Sequence, residues 1–358
     1  MESTTKVIIT PGLASREGYA FMNCYIGIDL GGTNLRAAVA DTDTGQVFHQ
    51  RKCPTLASEG QDAVIQRIVK LIHELTQADE IPPGSIKGVG IGVPGTPDIE
   101  TGVIQILPNL PGKWLNVPLR AIIEEQVQLP VALINDVRAI TLGEWTFGAG
   151  RGAQTLVCLA IGTGIGGGVV VNGQFHLGIG GTAGEFGHQV VEVDGLPCSC
   201  GGRGCLELYA SGPAIAAMGV KEVMHGHTTR IGELVNHDLN QINVGTIVQA
   251  AVEGDPIARE IFQRAGRYLG VAVGNILCAI SPQKVILGGG VSAAGDLLLA
   301  PLLQTVKERV HLIPVEQVQF VFAELGIDSG LLGAALWAKR RCEERGETSI
   351  IEESTNGK

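Results

Sequence analysis

The sequence predicts an α/β protein of two lobes, and three observations carry that expectation. Short apolar runs of strand length alternate with stretches of helical periodicity along most of the chain. Glycine is in excess, 51 of 358 residues, and gathers in short apolar-flanked runs, as tight turns near a ligand require. A strand, a glycine turn and a second strand open each half of the chain. A length of 358 residues suits two domains or lobes.

Taken in order, residues 1–21 lack periodicity and read as a flexible N-terminal extension, with the fold starting near Met22. Tyr25–Asp29 is a strand ending in a carboxylate; Leu35–Ala40 and Val47–Arg51 follow as strands across the turns at Gly31-Gly32 and Thr44-Gly45. Val64, Ile68, Leu71, Ile72 and Leu75 share one face of a helix over 61–77. Lys87–Val93 is a strand, Pro118–Val127 a helix, Val131–Ile134 a strand and Arg138–Trp145 a helix. The second half repeats the scheme. Strands at Thr155–Ile161 and Val169–Val171 precede helices near 211–225, 244–252 and 255–279. Strand Lys284–Leu287, helix Leu297–Val310, strand Gln317–Phe322 and helix Gly330–Arg341 complete it. The expected division is a small N-terminal lobe over 22–134, with the final helix 330–341 packed back on it, and a large lobe over 135–329. Residues 343–358, charged and polar, read as a flexible tail.

Composition narrows the class. Hydrophobic residues make up 45% and charged residues 17%, which supports sizeable cores and excludes a disordered chain. The net charge of −10, with no basic block, gives no footing for nucleic acid or an anionic membrane. The longest apolar run, Tyr268–Ile280, is short of the ~20 residues that span a bilayer. Residues 1–20 are polar and lack a signal-peptide core, so a cytoplasmic, reducing setting is expected, and there thiolates serve metals more often than disulfides.

Three glycine turns are candidate ligand loops. In the first, Asp29 stands before Gly31, Gly32, Thr33 and Asn34. Backbone N–H groups of such a hairpin can approach an anion, and the carboxylate can hold Mg²⁺ directly or through water. An ordinary glycine hairpin is the plainer reading. The second runs from Gly162, Thr163 and Gly164 to Gly168, and like Gly90–Gly95 it matches G-x-G-x-x-G. A dinucleotide fingerprint needs a helix straight after the glycines, whereas Gly168 enters an apolar strand; a Walker loop is absent too. The third, Gly288-Gly289-Gly290, lies between strand and helix and suits close approach of a ribose or nucleoside.

His188, Cys198, Cys200 and Cys205 fall within eighteen residues, among glycines and between Glu185 and Glu207. Zn²⁺ takes a tetrahedral shell of thiolate and imidazole, and Cys₃His is one of its closed structural sets. The alternative is a cysteine-rich loop with free thiols. Asp136 follows the strand 131–134 and Asn135, at a strand-to-helix junction where a carboxylate can accept a proton from an attacking hydroxyl. The competing reading is an N-cap for the following helix. His225 and His227 read as solvent-facing, Cys24, Cys53, Cys158 and Cys278 as core residues, and Cys342 has no assigned role.

The order of the three turns and the carboxylates resembles the actin-like ATPase fold of sugar kinases, Hsp70 and actin, with a ligand cleft between its lobes. Adding Glu185-x-Gly187-His188 and Cys198-x-Cys200-Gly201-x-x-Gly204-Cys205-x-Glu207, the chain from about Met22 to Arg341 resembles the ROK family (repressor, ORF, kinase). That resemblance implies ATP-dependent phosphorylation of a hexose at its 6-hydroxyl, with glucose ranked first. N-acetylmannosamine, N-acetylglucosamine, fructose and allose are the other sugars it implies. Asp136 would be the base, and Gly95, Asn109, Asn135, Asp136, Glu185, His188 and Glu207 would hold the sugar. Asp29, Gly31, Gly32, Thr33, Asn34, Gly162, Thr163, Gly164, Gly288, Gly289 and Gly290 would hold Mg²⁺ and ATP. One structural Zn²⁺ and a homodimer or homotetramer are implied as well. Sugar-sensing ROK regulators carry a DNA-binding module ahead of this body, for which the ~20 preceding residues are too few. A catalytically silent sugar-binding protein is disfavoured by the presence of Asp29, Asp136 and both phosphate turns.

Overall fold

The computed structural model describes residues 23–355 except 108, 109 and 113, with side chains described through 346. The expectations for residues 1–21 and for Asn109 lie outside the described residues. Two compact units emerge, one formed by the chain up to Arg151 with Leu177–Thr182 and the segment from Glu324 onward, the other by Gly152–His176 and Ala183–Ala323.

In the first unit β1 (Cys24–Leu30), β2 (Asn34–Asp41) and β3 (Val47–Pro54) form an antiparallel meander. Helix α1 (Gln61–Thr76) buries Val64, Ile65, Ile68, Val69, Leu71, Ile72 and Leu75, the stripe that the 3.6-residue period calls for. Next come β4 (Ile86–Val93), β5 (Thr96–Asp98), β6 (Val103–Ile106), β7 (Leu115–Val117) and α2 (Leu119–Val127). Then β8 (Val131–Asn135) leads into α3 (Asp136–Phe147). The main sheet has the order β3-β2-β1-β4-β8, with β1, β4 and β8 parallel. Strands β5, β6 and β7 make a separate small sheet absent from the sequence reading. Each has three or four residues, too few for a period-2 pattern to register.

The second unit repeats this topology. Strands β9 (Leu156–Ile161), β10 (Ile165–Val171) and β11 (Gln174–His176) form the antiparallel part. Helices α4 (Glu207–Ala210), α5 (Gly212–Met224), α6 (Arg230–Leu234), α7 (Val244–Val252) and α8 (Pro256–Ile280) follow. Strand β12 (Lys284–Gly288), helix α9 (Asp296–Arg309) and β13 (Gln319–Phe322) close the unit, and α10 (Asp328–Thr355) returns to the first. The order β11-β10-β9-β12-β13, with β9, β12 and β13 parallel, matches the first sheet strand for strand. Buried Asp255 caps α8, accepting from Ala258 N (2.8 Å) and from the Thr229 hydroxyl (2.7 Å).

Helix α10 packs on β1, β4 and β8, and the Trp337 indole donates to the Leu133 carbonyl at 2.8 Å. A Cβ at Gly90 in β4 would collide with the Ala334 carbonyl of α10, so the Gly90–Gly95 pattern marks helix-on-sheet contact instead of a nucleotide loop.

Three expectations change. The units divide at Arg151/Gly152 instead of between 134 and 135, because α3 packs against α10 and stays with the first unit. Fully buried Glu144 secures this: its carboxylate accepts from Ala149 N (3.0 Å), Glu324 N (3.1 Å) and Leu325 N (2.9 Å), holding both chain segments beside the division. The final helix continues to Thr355, where a flexible tail from 343 was expected; Arg341–Glu344 (2.6 Å) and Arg345–Glu124 (3.6 Å) are ion pairs along its extension. Cys278 is exposed on α8, and Cys53 only half-buried, whereas Cys24 and Cys158 are buried as expected. No helix among the described residues is long and apolar enough to cross a membrane.

Candidate active site

In the first unit the two candidate carboxylates, Asp29 and Asp136, sit at the C-terminal ends of parallel strands, where open α/β sheets bind ligands. Register sets Asp29 of β1 beside Gly92 of β4, and Gly92 beside Ile134 of β8. Asp29 and the start of α3 are thus separated by one strand, roughly 10 Å. The turn Gly31–Thr33 closes through Gly31 N to Asn34 O at 3.0 Å. Thr55 buttresses it, its N–H donating to Thr33 O (2.9 Å) and its hydroxyl to Gly31 O (2.6 Å). With these carbonyls engaged behind it, the exposed Gly32-Thr33 tip is left to present its amides and hydroxyl.

Burial pushes the Asp29 carboxyl up from the usual carboxylate range, and Arg36, 3.7 Å away across the β1–β2 pair, pulls it back. Asp328, at the start of α10, behaves alike: burial raises it, while a 2.8 Å hydrogen bond from Gln50 and the charge of Arg36 oppose that. Two carboxylates on one arginine leave an acidic balance suited to a hard divalent cation. Gln50, Asp328 and Thr55 were missed in the sequence, since only tertiary contacts connect them to the Asp29 turn; Arg36 was missed although it stands on the second strand of the hairpin, because its pairing with Asp29 depends on the register.

Asn135 caps α3, its Oδ1 accepting from Val137 N (3.0 Å) and Arg138 N (3.2 Å). Its Nδ2 donates to Gly95 O at 3.0 Å, fixing the loop that leaves β4. The cap role belongs to Asn135, and Asp136 is the first helical residue, its Oδ1 2.9 Å from Val137 N. A carboxylate in the first turn of a helix is favourably placed against the helix dipole.

In the second unit only Gly162-Thr163-Gly164 form the turn, closed by Gly162 N to Gly164 O at 2.9 Å; Gly166–Gly168 belong to β10. The segment Glu185–His188 lies against this strand, with a Cβ at Gly187 excluded by the Ile165 carbonyl. Gly288 ends β12, and exposed Gly289 and Gly290 follow, Gly289 resting against Ile161 at the end of β9.

His188, Cys198, Cys200 and Cys205 bring four donor atoms within 4.8 Å of one another. His188 Nδ1 is 3.7 Å from Cys198 Sγ, and Cys200 Sγ is 3.7 Å from Cys205 Sγ. A tetrahedral Zn²⁺ with ~2.3 Å Zn–S bonds has edges of about 3.8 Å, so the set fits that ion. Nδ1 is the ring nitrogen beside Cys198 Sγ, which leaves Nε2 for another partner. Glu207 stands beside it: Oε1 is 3.3 Å from Cys198 Sγ and 3.7 Å from His188 Nδ1, while Oε2 lies toward Gly164. The donor cluster, the second turn and the third turn therefore share one end of this unit's sheet. Glu185 precedes the short 3₁₀ turn 186–188, its carbonyl accepting from His188 N at 3.1 Å.

Comparison with known proteins gives concordant results. The ROK family model matches residues 25–341. A glucokinase of Thermotoga maritima is 38% identical over 316 residues, 88% of this chain and 97% of that protein. A xylose repressor of Caldicellulosiruptor bescii is 32% identical over 308 residues, 86% of this chain and 76% of the repressor. A ROK family glucokinase from Streptomyces griseus, solved with glucose and AMPPNP, superposes with a TM-score of 0.77 at 32% identity, covering 88% of this chain and 99% of that one.

Proposed function

The chain belongs to the ROK family of the actin-like ATPase fold, and from that premise we propose that it transfers the γ-phosphoryl group of ATP to the 6-hydroxyl of a hexose, with glucose the preferred acceptor. The observation that carries this reading is the shared register of β1, β4 and β8, which aligns Asp29 and Asp136 at one sheet edge.

In this reading Asp136 orients the attacking hydroxyl and accepts its proton, while Asn135 sets the helix start and the Gly95 loop around it. The turns Gly31–Asn34 and Gly162–Gly164 offer amides to the phosphates, and Gly288–Gly290 admits the nucleoside. Asp29, steadied by Arg36, would hold Mg²⁺, which when bound offsets the charge of the phosphates. Glu185, His188 and Glu207 hold sugar hydroxyls. Zinc on His188, Cys198, Cys200 and Cys205 would act as a splint that fixes the His188 ring, since four protein ligands leave no position open for chemistry.

Similarity to a xylose repressor favours a second reading, a sugar-sensing protein that uses the same sugar site without phosphoryl transfer. A coupled ADP-release assay over a panel of hexoses and N-acetylhexosamines separates the two. Rapid turnover with glucose supports the kinase; sugar binding by calorimetry with no ADP released from any sugar supports the sensor.

A further inference from the structure

A cavity of about 580 Å³ lies in the second unit, walled by one face of α8, by Val191-Glu192 of the metal loop and by Arg309 at the end of α9. On α8 its lining follows the helical repeat, with Glu260, Arg264, Arg267 and Tyr268 among the residues that face it. Arg264, Arg267 and Arg309 form no ion pair among the described residues, although Glu192 and Glu260 line the same space. Three unpaired guanidinium groups around one hollow match a phosphate, which arginine grips in bidentate fashion. The two glutamates supply acceptors for hydroxyl groups. Tyr268 is half-buried and stacks on Tyr209 with ring centroids 4.4 Å apart, so its other face can take the C–H face of a sugar ring.

The cavity is tied to the metal loop. The Tyr209 hydroxyl accepts from Leu196 N at 2.8 Å, and Tyr209 shares the short helix α4 with Glu207. Val191, in the cavity wall, donates through its N–H to Gly204 O at 2.9 Å, next to Cys205.

We propose that this cavity binds a phosphorylated hexose, and that its occupancy acts through the Tyr268–Tyr209 stack on the loop bearing Glu207. The binding stands on the cavity alone; the effect on sugar affinity rests on the reading of Glu207 as a sugar ligand. The product of the proposed reaction is one member of this ligand class, so the site gives that reaction a feedback input.

The test is calorimetric titration of the full-length protein with glucose 6-phosphate while glucose and AMPPNP saturate the active site. One equivalent is expected to bind, with affinity at least tenfold weaker in the doubly substituted Arg264→Ala/Arg267→Ala protein. That variant should keep its melting temperature and its kcat without added sugar phosphate. Tyr268→Leu should still bind glucose 6-phosphate but lose its effect on the KM for glucose. No binding to the saturated enzyme, or equal binding by the double variant, overturns the proposal. Inorganic phosphate binding as tightly as glucose 6-phosphate overturns the assignment of a sugar ligand. Binding intact in a protein that releases no ADP with any sugar leaves the cavity standing and removes the kinase reading.

Discussion

Asn135 occupies the cap of α3 and Asp136 the first helical position, so the helix start is held by Asn135 and the neighbouring carboxylate, the proposed base, is not needed as the cap. Replacing Asp136 by Asn should therefore spare the fold and reduce kcat by ~10²–10⁴-fold, with sugar affinity changed little. Steady-state kinetics beside a glucose titration check this; near wild-type kcat would remove Asp136 as the base. Asn135→Ala should behave differently, lowering stability by about 1 kcal/mol through the lost cap.

Zinc should copurify at about one ion per chain, measurable by elemental analysis. Its removal by a strong chelator should raise the KM for glucose well before kcat falls, since the splint positions His188 and Glu207. Metal-free protein with unchanged KM and melting temperature contradicts the assignment.

Asp29 gives a pH-dependent prediction. Desolvation raises its carboxyl in the folded state, with Arg36 only partly offsetting it, so the folded protein holds this proton more tightly than the unfolded chain. Its contribution to stability is thus greatest below the ordinary carboxylate range and is lost as pH rises through the raised value. Asp29→Asn should melt at or above the wild-type temperature near neutral pH, with the advantage shrinking as the solution is acidified through that range. The same variant should lose most ATP-dependent turnover. Thermal melts over a pH series, run with the ADP-release assay, test both halves.

Glu144 holds three backbone N–H groups in a fully buried setting. Glu144→Gln turns one acceptor into a donor facing those N–H groups, and should cost ~1–3 kcal/mol in urea unfolding. A loss below a few tenths of a kcal/mol would show the clamp to be dispensable.

Much of this was legible in the chain. The repeated strand–turn–strand pattern announced two similar sheets, because an exposed turn and a buried strand differ so sharply in composition. The His-Cys₃ cluster was legible because three cysteines and a histidine with glycines between them have few other uses at that spacing, and the fold brings their donor atoms together. Strands β5, β6 and β7, of three or four residues each, escaped notice, whereas the return of the last helix to the first lobe was expected and only the place of Asp328 near Arg36 was not. Thr55 and Asp328 carry no local signal at all; one is tied to the hairpin by hydrogen bonds and the other shares its arginine.

The sequence by itself determined the order of the main strands and helices, the glycine turns and the His-Cys₃ donor set, all of which depend on residues close together in the chain. Tertiary structure alone decided which neighbour caps α3, that Glu207 turns one oxygen to the donor cluster and the other to Gly164, and that Gly90 serves helix packing. The physical reason is distance along the chain. Periodicity and spacing report on local backbone, whereas a carboxylate's partners are set by strands and helices that meet only after folding.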